Sequence, residues 1–294
     1  MNTEHKRASV GRLTICLIGF SLAASCGRPT IDDVLPTIDD LVDGERRAIV
    51  AVGDVPGTLA QATDVTRNST DADTAALDES AGQEVPDVVV GTCPVVTTSG
   101  QLFEGDLEVT IDYGTEPCTT ATSTEDAERA CSGSATGTLN LTDALVTLGF
   151  DDLRCNERSI DGLVSLGYEI RASRLEFDGT WDLTATESDR TVRTAGEGRV
   201  VFEASPDACC NVTTVETFTG SISEGEDEWT AEMNGVLVSI EEYGSLIPFG
   251  GTITIDGPEI RSITVTFNEN SPATGAITVT ISGGPSFEVN LNDL

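Results

Sequence analysis

From Val88 to the C-terminus, apolar and polar residues alternate with a period of two. Leu107, Val109, Ile111 and Tyr113 follow this beat, as do Leu175, Phe177, Gly179, Trp181, Leu183 and Ala185. Val236, Val238 and Ile240 continue it, followed by Ile253 and Ile255, Ile263 to Phe267, Ile277 to Ile281, and Phe287 to Leu291. Successive side chains of a strand point to opposite faces, so the pattern calls for strands with one buried and one wetted face. Turn signals separate them at Asp256-Gly257-Pro258, over 268–275 and at Gly283-Gly284-Pro285. About a dozen strands are expected, and no long apolar helical stripe alternates with them, which argues against a parallel α/β fold. The expected class is all-β: an antiparallel meander over 88–294 forming a sandwich or barrel. The segments GTLNLT, GTWDLT, GTITID and GAITVT recur at irregular spacing and read as shared hairpin chemistry, because true repeats keep a fixed period.

Residues 26–87 have a different grammar and read as an acidic, partly helical tether. Thr37 is placed to cap a short helix, with Asp39 and Asp40 in its first turn. Gly44 weakens that helix and Asp54-Val55-Pro56 is expected to end it, with a second short helix over Thr58 to Val65. The stretch DVTRNSTDADTAALDESAGQEVPD, from Asp64 to Asp87, has seven acidic residues, one arginine and no aromatic residue. Such a composition buries little apolar surface against its ordering entropy and is expected to be flexible.

Charge narrows the chemistry. The sole histidine and sole lysine, His5 and Lys6, lie at the extreme N-terminus; from Cys26 onward 13 arginines face 49 carboxylates. Without histidine there is no Ser-His-Asp or Cys-His catalysis and no histidine-containing metal centre. Without lysine there is no Schiff base, P-loop lysine or Ser-Lys dyad. The excess of negative charge argues against nucleic acid, where binding rests on cations at the phosphates. A non-catalytic role is the expectation.

Six cysteines follow Cys26: Cys93, Cys118, Cys131, Cys155, Cys209 and Cys210. An even number in an exported chain reads as a disulfide framework. Cys118 and Cys131 flank a polar excursion between two strand candidates and are expected to pair. Cys209 and Cys210 are then expected to reach separate partners, leaving Cys93 and Cys155.

The N-terminus supplies the export signal. Lys6, Arg7 and Arg12 precede an apolar run from Leu13 to Ala24, too short to span a bilayer, and then small residues. Leu22-Ala23-Ala24-Ser25-Cys26 resembles a bacterial lipobox, although the leucine stands one position further from the cysteine than is usual. The resemblance implies a signal peptide over 1–25, cleavage before Cys26, and acyl chains on Cys26 that hold the protein to a membrane. Gly27 after the cysteine, in place of the aspartate that signals inner-membrane retention, implies the outer membrane. Val109-Thr110-Ile111-Asp112-Tyr113-Gly114-Thr115, followed by Cys118, resembles a stretch of uncharacterised β-rich bacterial lipoproteins.

Carboxylates are the only abundant acid-base groups left. Glu224, Glu226, Asp227 and Glu228 surround Trp229, and Asp182, Glu187 and Asp189 follow Trp181. A glycosidase needs two carboxylates at set spacing in a cleft with aromatic platforms, and two tryptophans and three tyrosines give that thin support. Calcium needs six to eight oxygens. Glu224, Glu226, Asp227 and Glu228 are its candidate ligands, with Asp71, Asp73, Asp151 and Asp152, although no EF-hand loop is present. The functional expectation is therefore an exported, lipid-anchored envelope protein with a structural or binding β domain and no required cofactor. A barrel carrying lipid or another apolar ligand, a calcium-binding adhesion module and a carboxylate glycoside hydrolase are the alternatives, and a protein, glycan or lipid partner is left open.

Overall fold

The computed structural model describes residues 41–79, 85–90, 94–100, 107–120, 129–140, 142–155, 158–171, 174–203, 212–239 and 245–294. A long helix, α1 (Asp43–Glu79), comes first. Among the described residues fifteen strands follow: β1 (Val85–Val90), β2 (Val95–Gly100), β3 (Leu107–Asp112), β4 (Cys118–Thr120), β5 (Arg129–Asn140), β6 (Leu145–Cys155), β7 (Arg158–Arg171) and β8 (Arg174–Glu187). Then come β9 (Arg190–Glu203), β10 (Val212–Glu224), β11 (Asp227–Val238), β12 (Gly250–Gly257), β13 (Ile260–Thr266), a one-turn helix α2 (Ser271–Thr274), β14 (Ala276–Ile281) and β15 (Ser286–Asn290).

The strands form one antiparallel sheet in nearly sequential order; only short β4 leaves the path, pairing with β5. The meander is therefore as the alternation requires, and it does not close into a barrel: among the described residues no ladder joins β1 to β15. Leu107, Val109 and Ile111 of β3 point inward, as do Phe177, Trp181 and Leu183 of β8 and Ile263 and Val265 of β13. Their polar neighbours form the wet face. Neighbouring strands approach most closely where side chains are missing. Gly179 and Gly198 are register partners in the middle of β8 and β9. A Cβ on Gly179 would lie 2.1 Å from the Ser165 carbonyl oxygen, and one on Gly198 would lie 2.2 Å from that of Thr217. Neighbouring backbones can come that close only at glycine.

The sheet bends around α1, and here the tether expectation is corrected. The described residues fall in one compact unit, with no boundary at 88. The helix runs unbroken through Pro56. Between Ala48 and Thr66 all but Val50, Asp54 and Asp64 are buried, on every side of the helix. A helix with no wet face belongs in an interior, and it touches strands from β1 to β3 and from β7 to β13. Tertiary packing outweighs the missing Pro56 N–H and the low propensity of its glycines and threonines. Its buried hydroxyls are satisfied locally: Thr63 and Thr66 donate to the Leu59 and Ala62 carbonyls at 2.7 and 2.8 Å. The expected cap, Thr37, lies outside the described residues. The observed N-terminus is closed by Glu45, which accepts from the Val42 backbone N–H at 3.2 Å, one half of a capping box. Arg261 of β13 grips the same carboxylate with Nε at 2.7 Å and Nη2 at 2.8 Å. That grip holds the Glu45 carboxyl below its ordinary value, against the upward push of burial.

One disulfide is corrected as well. Cys131 bonds Cys155, its register partner across β5 and β6, in place of Cys118. Cys118 faces Cys131 from the opposite side on β4, so Cys131 has a cysteine across each of its ladders. Sequence proximity favoured the β4 partner, while the long β5–β6 ladder holds Cys131 and Cys155 side by side with Cα atoms 4.1 Å apart. Closing their separation of 24 residues stabilises the fold by about 3–4 kcal/mol in the chain-entropy model. Cys26, Cys93, Cys209 and Cys210 lie outside the described residues, as does the expected signal peptide over 1–25.

Two tests follow from the helix. A Cβ at Gly57 would lie 2.5 Å from the Leu246 Cβ, whereas one at Gly53 meets the Leu291 methyls at an ordinary 3.6 Å. Gly53→Ala is expected to stabilise the fold by up to ~1 kcal/mol through helix propensity. Gly57→Ala is expected to lose about 1–3 kcal/mol, because overpacking exceeds that gain; urea unfolding reads both. In the same assay, Glu45→Gln is expected to cost stability at neutral pH. That deficit should shrink as pH falls from about 5 to about 3, since a group with a depressed folded pKa loses its contribution on protonation.

Candidate functional site

At the ends of β7 to β10 charged side chains reach inward to the helix. Arg158, the first residue of β7, stands in register with Glu187, the last of β8, which pairs in turn with Arg190, the first of β9. Glu224 ends β10 one strand further on. The turn of α1 carrying Asp54 meets this row from inside.

The result is a continuous chain of five charged groups. Arg158 donates from Nη2 to Glu187 Oε2 at 2.6 Å and to Asp54 Oδ1 at 3.1 Å. Its Nε reaches Glu187 at 3.2 Å, and its Nη1 reaches the Asp54 carbonyl at 3.3 Å and the Thr58 hydroxyl at 3.4 Å. Arg190 donates from Nη1 to Asp54 Oδ2 at 2.5 Å and from Nε to Glu224 Oε1 at 2.7 Å. The order is thus Glu187, Arg158, Asp54, Arg190, Glu224, with Asp54 shared between two guanidinium forks. The Arg158 side chain is 8% exposed and that of Asp54 31%. Burial pushes the Asp54 carboxyl up, with Glu187 adding to the push and both arginines opposing it.

A half-open cup of about 620 Å³ lies over this network. Ala185 and Val192 give it apolar wall, and the β8–β9 turn, Ser188 and Asp189, forms its rim. Ser188 sits at φ 55°, in the left-handed region that lets a tight turn join two long strands.

The expected carboxylate sites are placed differently. Of the proposed calcium ligands, Glu224 is held by Arg190, and Asp227 by Arg47 at 2.7 Å. Glu226 is exposed in the β10–β11 turn, and Glu228 points outward from β11 while Trp229 points in. Two of the four are therefore committed to arginine and the other two face solvent. Asp151 and Asp152 are exposed at a β6 irregularity, where Asp161 accepts from the Asp152 N–H at 2.8 Å. Asp71 and Asp73 fall within α1, with side chains outside the described residues. Among the described residues no three metal-capable side chains converge. Around Trp181 the carboxylates also disperse: Asp182 pairs with Arg193 on the outer face at 2.9 Å, while Glu187 and Asp189 go to the cup.

Sequence reasoning placed Glu187, Asp189 and Glu224 among its candidates but missed Asp54, Arg158 and Arg190. The one available signal was arginine itself, the only cation after Cys26. The comparisons add no relative: no family model, no curated protein and no solved structure matches the chain.

The buried and exposed pairs are expected to behave differently on mutation. Arg158→Met leaves Asp54 to Arg190 alone and takes the fork from half-exposed Glu187, and should cost about 1.5–3 kcal/mol. Arg193→Met breaks a pair more than half exposed on both sides and should cost under ~1 kcal/mol. Equal losses in urea unfolding would remove the distinction drawn here.

Proposed function

We propose that the protein is an exported, lipid-anchored component of a bacterial cell envelope, with the lipid on Cys26 and a β domain that acts by structure or binding without catalysis. The observation that carries this reading is the Cys131–Cys155 bridge between β5 and β6, because such bonds persist in oxidising compartments outside the cytosol. It agrees with the basic start, the short apolar run and Leu22-Ala23-Ala24-Ser25-Cys26. The outer membrane is the favoured address, on the strength of Gly27. With α1 buried in the domain, the stretch that serves as tether shortens to the residues ahead of the helix.

The alternatives receive less support. A lipid-carrying barrel needs an interior to fill, and α1 fills it between Ala48 and Thr66. Calcium adhesion and glycoside hydrolysis both need several convergent free carboxylates, and among the described residues no three metal-capable side chains converge and the candidates named for either are held by arginine or lie singly at the surface.

The test is the intact mass of protein made in a lipoprotein-processing bacterium, before and after reduction and alkylation, with Cys26→Ser as the second arm. The expected result is a chain starting at Cys26 with acyl chains attached, recovered from membranes and released by Cys26→Ser. An unacylated soluble chain would sink the anchor, and free thiols at Cys131 and Cys155 without reductant would remove the observation on which export rests.

A further inference from the structure

We propose that the cup over Asp54 binds an alkylammonium group, the charged end of a free polyamine or of a lysine side chain. This goes beyond the envelope reading and does not depend on the lipid anchor. Sign comes first. Four carboxylates, of Asp54, Glu187, Asp189 and Glu224, meet two guanidinium groups in one cavity. Both guanidiniums are already engaged by two carboxylates each, which leaves no cationic fork for an anionic ligand. Asp189, exposed on the rim, pairs with no arginine among the described residues. A cleft with surplus carboxylate and partly apolar walls focuses its field on an incoming cation.

Size and lining then choose the kind of cation. About 620 Å³ is the volume of an organic ligand site rather than of an ion, and no three metal-capable side chains converge among the described residues. Ala185 and Val192 close the wall of the cup behind the methylene stems of Arg158 and Arg190, which offer apolar contact to a ligand's alkyl chain, while the carboxylates sit where an ammonium head would rest. A short alkyl chain ending in an ammonium matches both. Glu187 and Glu224 are fixed by their arginines before anything binds, so little ordering entropy is lost at those acceptors. From Cys26 onward the chain has no lysine of its own to occupy the cup.

The experiment must separate a site from the counterion cloud of a strongly acidic protein. Spermidine and N-acetyl-lysine methylamide are titrated calorimetrically into the full chain at physiological salt, where the Debye length is about 8 Å. Asp189→Lys places a competing ammonium on the rim, and Glu108→Lys makes the same charge change on exposed β3. Saturable one-to-one binding that Asp189→Lys weakens about tenfold or more, with Glu108→Lys close to wild type, is the expected result. Saturation by both probes assigns the site to a lysine of a partner protein, and saturation by spermidine alone assigns it to a free polyamine. Non-saturating heats, equal weakening by the two substitutions, or no binding of either probe would overturn the proposal. If Asp189→Lys lowers the urea midpoint, the isosteric Asp189→Asn takes its place and must still weaken binding several-fold where Glu108→Gln does not.

Discussion

The rest of the molecule depends on a helix whose central turns are buried almost completely. Once all of Ala48 to Thr66 but Val50, Asp54 and Asp64 are enclosed, the surrounding sheet must curve, and the chain has to supply the means. On the helix side these are small residues: alanine, valine, glycine and threonine keep the cylinder thin, and Gly57 lets it lie against Leu246. On the sheet side they are the inward glycines of β8 and β9, where neighbouring backbones approach closer than a methyl group allows. The polar groups carried inside are handled in two ways. Hydroxyls bond back along the helix, and the carboxylates of Glu45 and Asp54 are met by arginines of the surrounding strands.

Those arginines also explain the form of the electrostatics. A chain with 49 carboxylates and 13 arginines after Cys26 has few cations to spend, and it places several where one guanidinium serves two acids. Arg158 and Arg190 do this around Asp54. Arg174 and Arg199 do the same on the outer face, sharing Glu176 of β8 and Glu216 of β10. Glu216 reaches that group because it is the extra residue of an irregularity between Val215 and Thr217. A planar fork with five donors suits such bridging better than an ammonium would. The buried pairs align the helix with the sheet; exposed pairs such as Arg193–Asp182 add little beyond solubility.

Much of the sheet was legible because period-two alternation is written locally: Phe177, Trp181 and Leu183 declare their face without help from the rest of the chain. The helix was legible only as two short helices; its continuity through Pro56 and its burial were missed, for a physical reason. Amphipathic periodicity marks a boundary between core and water, and α1 has no such boundary over its central turns, so its pattern has no stripe to detect. Pro56 and the acidic residues after Asp64 then read as punctuation and tether. The cup was illegible for a related reason. Asp54 lies 104 residues from Arg158 and 136 from Arg190, and only the depth at which α1 threads the sheet brings them together. The disulfide shows the same limit on a smaller scale, since Cys131 has a cysteine across each ladder and sequence distance favours the wrong one.

An open meander of this length would ordinarily face two difficulties, unpaired edges and a core exposed along the unclosed seam. A barrel removes both by hydrogen-bonding its first strand to its last. Here the described ladders end at β1 and β15, and the core is completed by packing instead. The same helix touches β1, β2 and β3 near one edge and β12 and β13 near the other, while Arg261 of β13 holds its first turn through Glu45. The helix therefore takes over for the core the task that a closing ladder performs in a barrel. Backbone closure fixes strand number and shear together, whereas closure by a side-chain-packed helix leaves the sheet ends free to splay around it. The cup lies well inside the sheet, where the ends of β7 to β10 meet the helix at Asp54 and the space over their ion pairs stays open.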